Sequence, residues 1–346
     1  MHNDLAPAFT GYGPPAGVDA AELKLLDDFQ HDFPLMPHPY QHIASSLGKD
    51  WTEARVINTL QQGKASGKIS RVGVVWAPNR IGVSTLAAIS VAPTYLEEAA
   101  HVINQFEAVN HNYARHHVYN LWFVVAATDT LTLARILQMI EAETASFRRK
   151  PLLNLPLLTE YHIDLGFSLV GPGRKRSLPV VQAIEPVSLT ARQWQLVQLL
   201  QEGIPLSATP YTDLAAQWGA TGHDVIMQLK QWLVEGIIRR LGVVLHHRGL
   251  GYKSNAMCVW QIPEDRINEI GTQLAQEDCV RLCYRRPACG TEWPYTLFAM
   301  IHGKDETTVR QQLADINVRL GLTGYPSDVL FSTKRYKQCG ARYARY

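Results

Sequence analysis

Two kinds of apolar spacing succeed one another along the chain, and the whole succession occurs twice. Leu23, Leu25, Leu26 and Phe29, then Val56, Ile57 and Leu60, fall at the intervals of one helix face. Trp194, Leu196, Val197 and Leu200, then Val225, Ile226 and Leu229, repeat that pattern. Between the members of each pair lie a proline-bearing connection and a short helix ending at Gly48 or Gly219, where glycine suits a left-handed cap or turn. A β wing follows, Arg71–Trp76 or Arg240–Leu245, so three helices and a wing predict a winged helix-turn-helix. The second part of each copy reads βαββαβ. Its first strand is Val83–Ala92, and its first helix carries Leu96, Ala99, Ala100, Ile103 and Phe106 on one stripe. Strands Val109–His117 and Tyr119–Thr128 come next, then a helix with Leu133, Leu137 and Ile140 where the other copy has Val309, Leu313 and Ile316. This alternation predicts a ferredoxin-like module.

The repeat is literal in places. FPLMPHPYQHIASSLG (Phe33–Gly48) aligns without a gap onto IPLSATPYTDLAAQWG (Ile204–Gly219), and Gly73 and Gly82 recur as Gly242 and Gly251. Tyr113 and Arg115 recur as Tyr284 and Arg286, and an insertion, PACGTEWP, interrupts the second copy before YTLFA. The fold class expected is α+β, a tandem duplication of a winged helix-turn-helix followed by a ferredoxin-like domain. The expected boundaries are an N-terminal arm over 1–19, helix-turn-helix 20–76, ferredoxin-like 77–169, linker 170–187, helix-turn-helix 188–245 and ferredoxin-like 246–346. The linker is assigned on its run of proline, glycine and basic residues without periodicity.

Composition narrows the function. The 346 residues are 46% hydrophobic and 18% charged with a net charge of +2, an ordinary globular balance without a strongly basic surface for nucleic acid. No apolar run approaches the ~18 residues of a membrane span, and the N-terminus lacks the layout of a secretory signal. The cysteines, Cys258, Cys279, Cys283, Cys289 and Cys339, are odd in number and without framework spacing. A reducing, cytoplasmic location is expected.

The richest chemistry lies in HNYARHHVYNLWF, from His111 to Phe123. In an extended strand, His111, Tyr113, Arg115 and His117 would occupy one face. Repetition of Tyr-x-Arg at matched positions points to a site rather than to scattered surface charge. Arg285 and Arg286 are adjacent, so in a strand they point to opposite faces, and Arg286 accompanies Tyr284. The histidines invite a zinc reading, yet no cysteine or carboxylate completes a ligand set nearby, and no protein-built metal site is expected.

A winged helix-turn-helix followed by a ferredoxin-like module resembles the Lrp/AsnC transcription regulators. HNYARHHVYNLWF, with LEEAAHVINQF before it, looks like one subunit of the sirohaem decarboxylases, and HHRGLGYKSNAMCVW with CYRRPACGTEWPYTLFAMIHG looks like the partner subunit. The chain is similar to a natural fusion of two such subunits, as found in pathways to haem d1. The resemblance implies non-oxidative removal of two acetate carboxyl groups from sirohaem, giving 12,18-didecarboxysirohaem. It implies no added cofactor, since the iron is carried by the sirohaem substrate, and it leaves open further homologous decarboxylase subunits or a homo-oligomer.

The residue types suit that substrate, a flat macrocycle edged with carboxylates. Arginine binds a carboxylate bidentately, and Arg248, Arg285 and Arg286 are the candidate clamps beside Tyr284. Trp122, Tyr252, Trp260 and Trp293 are candidate walls, and Asn120 a further candidate contact. Loss of carbon dioxide leaves an electron pair on carbon that must be protonated, for which histidine is suited. His111, Tyr113, Arg115 and His117 are the catalytic candidates. In the second copy Leu282 replaces His111, leaving His246, His247 and His302 as an acid or an axial ligand to the iron. The alternative function is an Lrp/AsnC-type DNA-binding regulator sensing a small ligand or tetrapyrrole. Its recognition helices, around DWTEARVINTL and TGHDVIMQLK, are poor in basic residues, so no specific DNA binding is expected.

Overall fold

The computed structural model describes residues 20–163, 181–182, 186–245, 254–303 and 305–343. The arm over 1–19, most of the expected linker, and the candidates His246, His247, Arg248 and Tyr252 lie outside the described residues. Copy one runs α1 (Ala20–Asp28), α2 (Pro39–Leu47), α3 (Glu53–Ala65) and β1 (Ile69–Trp76). It continues with β2 (Val83–Ile89), a 3-10 turn (Pro93–Tyr95), α4 (Leu96–Asn104), β3 (Val109–Arg115), β4 (Leu121–Ala127), α5 (Thr130–Glu143), β5 (Leu153–Pro156) and β6 (Thr159–Ile163). A two-residue strand, β7 (Val181–Gln182), precedes copy two. That copy runs α6 (Ala191–Gln201), α7 (Pro210–Trp218), α8 (Gly222–Val234), β8 (Ile238–Leu245), β9 (Ser254–Trp260), α9 (Ile267–Leu274), β10 (Val280–Arg285), β11 (Leu297–Gly303), α10 (Glu306–Arg319) and β12 (Ser327–Gln338).

Equivalent helices begin on equivalent caps. Thr52 and Thr221 accept the third backbone N–H of α3 and α8, and Asp129 and Asp305 do the same for α5 and α10. Gly48 and Gly219 both take positive φ after the short helix, as the repeat predicts.

The two helix-turn-helix units share one core, in which Leu25, Leu26 and Leu60 pack with Leu196, Leu200 and Leu229. The Tyr40 hydroxyl donates to the Pro205 carbonyl, and the Tyr211 hydroxyl donates to that of Pro34, each at 2.9 Å. The wing strands β1 and β8 pair with one another antiparallel, with Gly73 opposite Gly242. A Cβ on Gly242 would stand 2.1 Å from the Gln30 carbonyl oxygen, so close approach of the backbones requires glycine there.

The ferredoxin-like halves are interlocked. Their strands form a ten-stranded order, β5-β2-β4-β3-β12-β9-β11-β10-β6-β7. Residues 327–331 of β12 pair with β9 of copy two, and residues 332–338 pair with β3 of copy one. In the same way β5 pairs with β2, and β6, two residues further on, crosses to β10 of copy two. Each half therefore lends the end of its last strand to the other. Helices α4 and α5 cover one outer face, α9 and α10 the other. The uncovered inner faces meet in an apolar seam of Leu86, Trp122, Met257, Val259, Phe298 and Met300.

Candidate active site

The seam is where the repeated Tyr-x-Arg motifs point. On β3, His111 stacks on Tyr113 with ring centroids 6.4 Å apart and planes 18° apart, and the Arg115 guanidinium lies 6.0 Å from the Tyr113 ring. These three residues do occupy one face. Tyr113 donates its hydroxyl to Gln338 Oε1 at 2.9 Å, and Arg115 reaches across to the Leu330 carbonyl at 2.9 Å. Copy two repeats the arrangement from the opposite side. Arg286 lies over the Tyr284 ring at 4.8 Å and donates to the Leu155 carbonyl at 2.5 Å.

His117 departs from the expected strand. β3 ends at Arg115, because the chain turns there: the Arg115 N–H donates to the Asn120 carbonyl and the His117 N–H to the Arg115 carbonyl. His117 lies in that turn, 15% exposed, opposite Asp328 from copy two. Its Nδ1 accepts the Tyr119 N–H at 2.9 Å, and its Nε2 stands 3.4 Å from Asp328 Oδ2. The bond from His117 is the largest of the effects that hold the Asp328 carboxyl below its ordinary range. Asp328 is not identifiable from the sequence, because its partner lies in the other copy and it sits in a strand with many other polar residues.

The insertion of copy two is a small hairpin closed by backbone bonds between Cys289 and Trp293 and tied to copy one by Lys150–Glu292 at 2.5 Å. It drives Trp293 into the seam. The indole meets His117 at 5.5 Å, Trp122 at 4.9 Å, Tyr295 at 5.0 Å and Phe298 at 6.1 Å. Trp293 is fully buried, and its Nε1–H has no hydrogen-bond partner. Arg286 Nε is likewise buried without one. Burial pushes the Arg286 guanidinium down from its ordinary range and the Tyr284 phenol up. No carboxylate among the described residues is paired with Arg286.

Other candidates are placed elsewhere. Arg285 faces outward and binds both oxygens of Glu264 at 2.6 Å, as strand alternation requires. Asn120 uses its side-chain amide on both backbone groups of Val91, at 3.0 and 2.9 Å, and holds the strand end rather than lining the seam. Trp260 belongs to the helix-covered core of copy two, bonded to Asn317 at 3.0 Å. His302 is half-buried near the far end of β11, opposite Asn255. Among the described residues no three His, Cys, Asp or Glu side chains converge as metal ligands, and no helix is long and apolar enough to cross a membrane. The outer face of α8 presents Asp224, Met227 and Val234, and Arg55 of α3 is stacked on Trp51 at 4.5 Å. Neither helix offers a row of cations for phosphates.

Comparison with known proteins follows the same division. An AsnC-like ligand binding domain matches residues 80–162 and 249–337, and a siroheme decarboxylase NirDL-like HTH domain matches 22–69 and 194–239. The siroheme decarboxylase NirDL subunit of Paracoccus denitrificans (strain Pd 1222) is 37% identical over 327 residues, 94% of this chain and 98% of its own length. The siroheme decarboxylase NirL subunit of Stutzerimonas stutzeri is 45% identical over 150 residues, 43% of this chain and 88% of its own. The crystal structure of siroheme decarboxylase NirDL in co-complex with an iron-uroporphyrin III analogue superposes with a TM-score of 0.66 at 25% identity, covering 93% of each chain.

Proposed function

We infer that this chain, which belongs to the siroheme decarboxylase NirDL family, removes two acetate carboxyl groups from sirohaem as carbon dioxide. It is a carboxy-lyase. The observation that carries the reading from family to site is Arg286, a largely desolvated guanidinium with a buried Nε and without a carboxylate among the described residues. A buried charge is costly unless paired, and a substrate edged with carboxylates supplies the missing partner. Arg115 faces the same seam from the other copy, and the Trp293 indole N–H adds an unused donor. Tyr113, Tyr284, Trp122 and Trp293 flank these groups with aromatic surface.

In each decarboxylation the C–C bond to the carboxylate breaks, carbon dioxide leaves, and the electron pair stays on the methylene carbon. One proton then forms the new C–H bond. Arginine fixes the departing carboxylate, and a histidine of copy one supplies the proton. No oxidant enters that balance, so we assign no added cofactor, and the iron travels with the substrate. The existence of relatives as separate subunits supports a unit of two homologous halves, here joined in one chain. The regulator alternative finds no support in α3 and α8.

The test is anaerobic incubation of the purified chain with sirohaem, followed by product mass. A product lighter by two molecules of carbon dioxide is expected. Unchanged sirohaem together with tight, sequence-selective DNA binding would replace this reading with the regulator.

A further inference from the structure

The two exchanged strand ends are built alike but charged oppositely. In the sheet of copy one, Arg335 stands opposite Tyr113 and Gln338 opposite His111. In the sheet of copy two, Glu160 stands opposite Tyr284 and Ile163 opposite Leu282. Each end has a tyrosine bulged out of the pairing, Tyr336 or Tyr161, whose hydroxyl turns to the first helix of the half it borders. Tyr336 donates to Glu97 of α4 at 2.8 Å, and Tyr161 to Asn268 of α9 at 2.7 Å. KRYKQ (Lys334–Gln338) and TEYHI (Thr159–Ile163) therefore occupy equivalent places. Directly opposed residues share a face of the sheet, so Arg335 and Glu160 both lie on the inner side, beside the tyrosines of the Tyr-x-Arg motifs. At that one position the charge is reversed between the halves.

The two side chains are also partnered differently. Glu160 is buried, and Arg239 of the wing strand β8 donates to its carboxylate. Three residues before the paired wing glycines, where copy two has Arg239, copy one has Ser70. Arg335 is exposed, and among the described residues no carboxylate pairs with it. Its Nη1 donates to Gln338 Oε1 at 3.1 Å, the same oxygen that accepts the Tyr113 hydroxyl at 2.9 Å. One amide oxygen thus holds a phenol and a guanidinium side by side. Lys334, next along the strand, is on the outer side and is paired with Glu97 at 2.7 Å.

Resting on the decarboxylase reading, we propose that Arg335 is a specificity-determining residue, lent by copy two to the copy-one end of the seam, where it clamps a peripheral carboxylate of the macrocycle. The copy-two end, where Glu160 and Arg239 are paired with each other, takes no such carboxylate. The chain therefore binds one macrocycle in one orientation, despite its two similar halves. Arg286 serves that same molecule from the opposite wall, since Arg115 and Arg286 both act electrostatically on the Tyr284 phenol.

The experiment is spectral titration with sirohaem at several salt concentrations, alongside thermal melts and single-turnover rates at saturation. One macrocycle per unaltered chain is expected. Arg335→Gln should weaken affinity by about three- to tenfold and Arg335→Glu by more than about tenfold. Arg335→Lys, which keeps the charge, should stay within about threefold. Melting points should not move, and the saturated rate of each variant should stay within about threefold. Affinity should also fall less steeply with salt in Arg335→Gln than in the natural chain, which a merely structural role would not produce. Natural affinity in Arg335→Glu, or two equal macrocycles per chain, overturns the proposal. An unaltered chain that binds no sirohaem would instead remove the decarboxylase reading.

Discussion

Arg286 carries a desolvation cost in the folded protein that Tyr284 offsets in part and that a carboxylate ligand would offset further. Its guanidinium is desolvated, rests on Tyr284 and Phe298, and bonds the Leu155 carbonyl and the Tyr284 side chain, with no carboxylate among the described residues. Replacing it by methionine removes the charge and roughly keeps the volume, so stability should hold or rise. Sirohaem affinity should fall by about ten- to a hundredfold, the equivalent of one charge-assisted hydrogen bond. Paired thermal melts and spectral titrations test both signs, and a destabilised variant of natural affinity would return Arg286 to a structural role. Its place beside Tyr284 was legible in the sequence, because Tyr-x-Arg occurs twice at matched positions. Asp328 was not legible: it acts on a side chain more than two hundred residues earlier, and nothing local marks it.

At the scale of elements, periodicity located nearly every helix and strand, and what it misjudged were ends and irregularities. The run expected as one strand to His117 breaks at Arg115, where a turn takes over the backbone bonds. The two bulges leave no trace in hydropathy, because one extra residue does not disturb the apolar count. Gly73 and Gly242 were visible as recurring letters, and the reason appears only once β1 and β8 lie side by side. Gly242→Ala would force a methyl group into the Gln30 carbonyl and should cost about 1–3 kcal/mol. Gly324→Ala, whose Cβ meets nothing within 4 Å, should change stability by less than about 0.5 kcal/mol. Denaturant midpoints of the two variants, measured together, check the contrast; equal shifts would mean the wings yield more easily than their register implies.

The whole molecule is a pair of similar halves that cannot be drawn apart without tearing strands. Duplication was plain from the letters, whereas the exchange of last strands was not, since β12 reads as one uninterrupted strand whichever sheet it joins. A chain divided within residues 170–180 should therefore give halves that fail to fold separately. Co-expressed, they should associate into one complex with decarboxylase activity. Soluble, monomeric halves with cooperative melts would show that each sheet is complete without its neighbour's strand.

The path of β12 also sets an order of events during synthesis. Strand β3 gains one of its two neighbours only when residues 332–338 exist. The reciprocal strand β6 is made before β10, the strand it will border. On the ribosome, where the N-terminal part emerges first, the earlier half thus waits with an open edge until the chain is almost finished. The later half finds its borrowed strand already present. The copy-one side of the site, on β3, is thus translated long before the strand that encloses it.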